Sequence, residues 1–155
     1  MEAGATVKRV ILIAVGLSPL LFGYLTSYLT MSIWFYSLPR GTLTLISLAV
    51  LAWWFVAGFV CSKFFASKLE VILLLNAVAI LVLVLALLQA LVLRHLLIDM
   101  IQLFYLPLMR LASRLLSLFS LFVIDLKFVY LISFGFLIST SWLGVNLGKK
   151  WFIHR

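Results

Sequence analysis

The run from Val71 to Leu93 constrains the fold of this chain more than any other stretch. It has 23 residues without a charge, and only Asn76 and Gln89 interrupt its apolar side chains. At the usual helical rise such a run extends roughly 35 Å, which is enough to cross a bilayer with some tilt. The run therefore predicts a transmembrane helix, and we expect its two amides to bond to a neighbouring helix.

Composition places the whole chain in the same class. Of the 155 residues, 66% are hydrophobic and 10% are charged, and the mean hydropathy is +1.31. Soluble domains are about one quarter charged. Three more apolar runs accompany the first, and together they predict one all-α integral membrane domain over residues 1–155. The predicted spans are residues 10–30, 42–61, 71–93 and 121–147.

Glycine, proline and tryptophan modify the first two spans. Gly16, Pro19 and Gly23 lie in the first span. They favour a kink or a close helix approach. A substrate-gating kink is one interpretation, but ordinary membrane helices also tolerate glycine and proline, and that interpretation is favoured. Trp53 and Trp54 lie deep in the second span, where we expect them mainly to pack against a neighbouring helix.

The segment from Arg94 to Ser120 is both apolar and regularly punctuated by polar residues. Its polar residues return to one side of a helix and leave Leu, Ile, Phe and Met on the other. Such a helix is typical of a membrane surface, with its apolar side in the lipid. We predict an interfacial amphipathic segment over residues 94–120, broken or bent at Pro107, before the last span. Its polar stripe includes His95, Asp99, Gln102, Arg110 and Arg114.

The alternative for this segment is a fifth span over residues 96–116. It would carry Asp99, Arg110 and Arg114 into the membrane, where a charge near the centre costs at least about 2.5 kcal/mol. It would also put the two ends of the chain on opposite sides. The cost of the charges favours the surface position.

Small residues mark one face of the last span. Thr140, Gly144 and Gly148 are four residues apart, and Gly135 and Ser139 precede them. Small side chains at this spacing allow two helix backbones to approach closely. We predict helix packing through these residues, either within the chain or between two copies.

The lysine and arginine residues predict the orientation. With four spans, both termini share a side with seven cations, and five lie on the other. Cytoplasmic sides carry the excess of such residues. We therefore predict cytoplasmic termini, in a bacterial inner (plasma) membrane to judge from the basic, leucine-rich composition. The larger group is Lys8, Arg9, Lys63, Lys68, Lys149, Lys150 and Arg155.

Few residues suggest chemistry. His95 and Asp99 are one helical turn apart, and a membrane enzyme that uses this pair with Asp125 is a third hypothesis. Two distant histidines and the single Cys61 make no metal-ligand set. We predict no catalytic residue, metal or cofactor. We also predict no nucleic-acid partner, because the cations flank apolar runs instead of forming a water-facing patch.

Function follows from this architecture only in outline. A chain without mid-span charges or a sizeable soluble domain has few side chains suited to catalysis or coupled transport. We predict an accessory, assembly, immunity or exclusion-type component of a membrane system, which contacts another membrane protein or its own copies within the lipid bilayer. The alternative is a small oligomeric transporter or channel whose path is lined by Thr26, Ser27, Thr30, Asn76 and Gln89.

Overall fold

The described part of a computed structural model of this chain is built from α-helices and contains no strand. The structure describes residues 2–32, 40–65, 67–89, 91, 99–118 and 126–153. Four stretches are long and apolar enough to cross a membrane: Thr6–Leu29, Gly41–Cys61, Lys68–Leu88 and Leu126–Phe152. The predicted all-helical class and the four apolar stretches are confirmed. The helices are α1 (Glu2–Gly16), α2 (Ser18–Ser32), α3 (Arg40–Cys61), α4 (Lys68–Leu88), α5 (Asp99–Leu118) and α6 (Leu126–Ile153).

The first apolar stretch consists of two helices. α1 ends at Gly16 and α2 begins at Ser18, and the N–H of Leu17 donates to the carbonyl of Ala14 at 3.1 Å across the break. Pro19 has no N–H, so it cannot continue the helical hydrogen bonds of α1, whereas it fits the first turn of a new helix. The helix is therefore interrupted where the sequence favoured a kink.

α4 begins before the apolar run that predicts it. Ser67 precedes the helix in an extended conformation, with φ −89° and ψ 130°, and its hydroxyl accepts from the N–H of Glu70 at 3.4 Å. A serine at this position satisfies one of the free N–H groups of the first turn. Lys68 and Glu70 precede the predicted span, which starts at residue 71, but they lie in the first turn of α4.

α3 and α6 pack closely through glycine, and α1 packs on α4 in the same way. A Cβ built on Gly58 of α3 would lie 2.8 Å from the carbonyl oxygen of Ser141 in α6. A Cβ on Gly16 would lie 2.7 Å from the carbonyl oxygen of Leu75 in α4. Both distances are shorter than a real Cβ contact, so these helices approach each other only because the residues are glycines.

α5 is one continuous helix whose apolar side is buried by protein. Phe104, Tyr105, Leu108 and Ala112 are at most 1% exposed, and α5 contacts α2, α3, α4 and α6. The sequence predicted a break or bend at Pro107 and a lipid contact for this side. The helix is not broken there, since it runs on from Asp99 to Leu118. Neighbouring helices cover the side that was assigned to lipid.

α5 reaches into the bundle instead of lying across its end. Leu103 packs on Gly23 of α2, and Tyr105 bonds to Ala79 of α4. Both partner residues lie nine positions before the ends of their helices, which is about 13 Å along each axis. Gly23 of α2 and Ala79 of α4 are small, which leaves space for α5 between the helices. The hydropathy of a segment does not reveal such space. α5 is not among the four stretches that are apolar enough to span a membrane.

Candidate functional site

A buried polar network joins α3, α4 and α6 at the centre of the bundle. The indole N–H of Trp54 donates to Asn76 Oδ1 at 3.2 Å. Asn76 Nδ2 donates to the hydroxyl of Ser141 at 2.8 Å and to the carbonyl of Ile72 at 2.8 Å. Asn76 is 1% exposed, and Trp54 and Ser141 are fully buried. The bonds expected from the amide are therefore present, and Trp54 has a hydrogen-bonding role besides packing.

Two buried hydrogen bonds attach α5 to α4 and α3. The hydroxyl of Tyr105 donates to the carbonyl of Ala79 at 2.6 Å, and the hydroxyl of Ser47 donates to the carbonyl of Pro107. A tyrosine phenol is protonated at physiological pH, so Tyr105 can act as this donor.

Pro107 also shapes the contact between α5 and α2. It has no N–H, so the carbonyl of Leu103 cannot accept the helical hydrogen bond from residue 107. The oxygen of Leu103 lies directly against Gly23, where any Cβ would clash with it. A weak Cα–H···O contact fits this arrangement. The contact therefore depends on Gly23 having no side chain.

Contacts between distant parts of the chain gather the basic residues at one end of the bundle. Arg9 of α1 pairs with Glu70 of α4 at 2.8 Å, and the ammonium of Lys149 in α6 donates to the carbonyl of Phe65. The start of α1, the connection between α3 and α4, and the end of α6 therefore meet. We call this the basic end. Its described cations are Lys8, Arg9, Lys63, Lys68, Lys149 and Lys150.

The predicted small-residue face divides between the interior and the outside of the molecule. Gly144 packs on the carbonyl of Phe55, and Gly148 on Phe59 and Ser62, so both serve the α3–α6 contact. A Cβ on Gly135 would meet nothing within 4 Å. Ser139 is exposed, and Thr140 is half-buried with its hydroxyl bonded to the carbonyl of Phe136 at 2.6 Å.

The predicted polar stripe is described only in part. Gln102 and Arg110 are half-buried, and Arg114 is exposed and donates to the hydroxyl of Thr44 in α3 at 3.1 Å. His95, Asp125 and the side chain of Asp99 lie outside the described residues, so the structure does not test the enzyme hypothesis.

A groove of about 520 Å³ opens beside α5 at the end of the bundle away from the basic end. α2, α3, α5 and α6 all contribute to it, through the polar residues Thr26, Arg110 and Ser113 and a larger apolar set. Sequence periodicity predicted that Arg110 belongs to the polar stripe. It did not predict the groove, because the groove forms only where four helices meet. Its apolar lining is Leu43, Leu106, Pro107, Met109, Leu126 and Val129.

A second cavity, of about 390 Å³, lies at the basic end between α1, α3 and the residues that follow α3. Lys8 is its single charged lining residue, and the remaining lining is apolar apart from Cys61. Those other lining residues are Ile11, Leu12, Val15, Val60, Cys61, Phe64 and Phe65.

The residues named for a transport path do not share one environment. Asn76 is bonded within the core, and Gln89 is 6% exposed. Thr26 lines the groove beside α5, although its hydroxyl donates to the carbonyl of Phe22 at 2.6 Å. The side chain of Thr30 lies outside the described residues. Asn76 therefore serves as a link between helices in this bundle.

Within the described residues, no group of three or more His, Cys, Asp or Glu side chains is placed to hold a metal ion. Searches of protein-family models, of curated proteins and of solved structures found no match to this chain.

Proposed function

We propose that this protein is an accessory, assembly, immunity or exclusion-type component of a bacterial inner membrane. In this proposal it works by helix–helix contact with another membrane protein or with its own copies. One observation carries the proposal: the outward surface of α6 retains a pair of small residues, Gly135 and Ser139, that none of the described helices covers.

The spacing of this pair suits a partner helix. Gly135 and Ser139 are four residues apart, and the large exposed side chains of Leu131 and Trp142 flank them along the same side of α6. Small residues between large ones form a shallow notch in which a second backbone packs closely. Gly144 and Gly148 provide the same kind of close packing inside the molecule, where α3 occupies the space beside them.

The basic end supports the proposed orientation. Its six described cations outnumber the four described at the opposite end, which are Arg40, Arg110, Arg114 and Lys127. Because cytoplasmic ends carry the excess of Lys and Arg, the proposal places the basic end, with both termini, in the cytoplasm. α5 then lies toward the outer face, inserted between the helices with Arg114 at the rim.

Affinity purification of a tagged copy from its own host, in mild detergent and with mass spectrometry, tests the proposal. We expect a stoichiometric membrane partner or a homo-oligomer, and Gly135→Leu should abolish its recovery by filling the notch. Ala52→Leu is the matched control, because it places the same side chain at another exposed small residue, in α3. Recovery of a monomer alone, or an equal yield of partner from Gly135→Leu, would contradict the proposal.

The groove beside α5 supports the alternative of a small oligomeric transporter or channel, because Thr26 lines it. Flux across liposomes separates the two functions. Solute or ion movement by the purified protein, reduced by a bulky residue at Thr26, would favour transport. An absence of flux across intact liposomes would contradict transport and favour the accessory function.

A further inference from the structure

The groove beside α5 combines a large apolar lining with one cation that has no described counter-charge. Arg110 is half-buried, and it forms neither a hydrogen bond from its guanidinium nor an ion pair with a described residue. Asp125 precedes the lining residue Leu126 and lies outside the described residues. A guanidinium that is partly removed from water is stabilised by an anion. None of the described residues supplies that anion to Arg110, so the position favours an anionic ligand.

The other polar lining groups cannot supply donors in place of Arg110. The hydroxyl of Thr26 already donates to the carbonyl of Phe22 at 2.6 Å, and that of Ser113 to the carbonyl of Arg110 at 3.1 Å. A ligand in this groove therefore finds one strong donor, the guanidinium fork, and otherwise apolar side chains.

A second arginine strengthens the preference for an anion. Arg114 lies four residues after Arg110, so the two guanidinium groups share one side of α5 and repel each other. Arg114 bonds to Thr44, which is next to the lining residue Leu43. An anion near Arg110 relieves this repulsion, and a neutral ligand does not.

We propose that the groove beside α5 binds an anionic phospholipid, with its phosphate on Arg110 and an acyl chain along the apolar lining. A phosphate accepts two parallel hydrogen bonds from a guanidinium, which makes arginine the suited partner. The volume of about 520 Å³ is within the range of about 300–1,000 Å³ that ligand sites occupy. A free phosphate would leave the apolar lining empty, so a lipid is the occupant that matches both parts of the groove.

Native mass spectrometry of the full-length protein in an uncharged detergent tests the site. The protein is titrated with phosphatidylglycerol and with phosphatidylcholine of identical acyl chains, and the affinity of the first bound lipid is measured. We expect a preference for phosphatidylglycerol of about tenfold, as a charge-assisted contact predicts. Equal affinities in the wild-type protein would overturn the proposal, whatever the variants show.

Variants locate the preference within the molecule. Arg110→Gln should remove it, and Arg110→Lys should retain only part of it, because a lysine keeps the charge but not the planar fork. Lys8→Gln is the matched control, since it removes the one charge that lines the second cavity. An unchanged preference in Arg110→Gln, or a loss in Lys8→Gln alone, would refute the assignment to this groove.

Competition distinguishes a lipid from a free anion. Inorganic phosphate at millimolar concentration should leave phosphatidylglycerol bound, because phosphate lacks the apolar contact. Displacement of the lipid by inorganic phosphate alone would show a simple anion site and overturn the proposed occupant. The partner interaction assigned to Gly135 is measured separately, so failure of either proposal does not affect the test of the other.

Discussion

Replacing Gly144 by alanine should destabilise the bundle, although alanine is the better helix former. A methyl group at this position would clash with the carbonyl oxygen of Phe55 and would lie 3.1 Å from the backbone nitrogen of Phe59. Both neighbours are backbone atoms of α3, so they cannot rotate away as a side chain could. The α3–α6 pair must therefore separate or tilt to accept the methyl group.

The magnitude follows from two opposing effects. Overpacking of a tight contact costs about 1–3 kcal/mol, whereas glycine to alanine within a helix gains about 1 kcal/mol. We expect a net loss of up to about 2 kcal/mol in the free energy of unfolding. For a chain of this length each kcal/mol shifts Tm by about 2–4 °C, so Tm should fall by up to about 8 °C.

Gly135→Ala is the matched control in the same helix. Nothing lies within 4 Å of a Cβ built there, so only the gain in helix propensity applies, and Tm should stay the same or rise by up to about 4 °C. The assay is thermal unfolding of the purified monomer in mild detergent, followed by tryptophan fluorescence. Equal shifts for the two variants would refute the argument that α3 and α6 meet at Gly144.

Three further substitutions test the contacts within the bundle by the same assay. Asn76→Leu should lower the free energy of unfolding by about 1–3 kcal/mol, because it leaves the buried indole N–H of Trp54 without an acceptor. Asn146→Leu removes a more exposed amide from α6 and should lower it by less than about 0.5 kcal/mol. Tyr105→Phe should cost about 0.5–1.5 kcal/mol through loss of the bond to Ala79, and no change would show that this bond does not hold α5. Glu70→Gln should cost under about 1 kcal/mol, since its pair with Arg9 is exposed, and high salt should reduce the difference from wild type.

The sequence by itself determined which segments are helices apolar enough to span a membrane. Uncharged runs such as Val71 to Leu93 are incompatible with water over their whole length. That property belongs to the segment and its solvent, so it is readable without knowing what the segment touches. The interruption at Pro19 was also open to prediction, because a missing N–H is a local property.

The tertiary structure decided which surface of each helix meets protein and which remains free. Gly135 and Gly144 look alike in sequence, yet α3 covers only Gly144. The apolar side of α5 was assigned to lipid because an amphipathic helix buries that side away from water. Lipid and protein both exclude water, so the sequence pattern does not distinguish between them. Contacts of Gly23 with Leu103 and of Tyr105 with Ala79 join residues far apart in the chain. Their geometry exists only once the helices are assembled, as does the groove that holds Arg110.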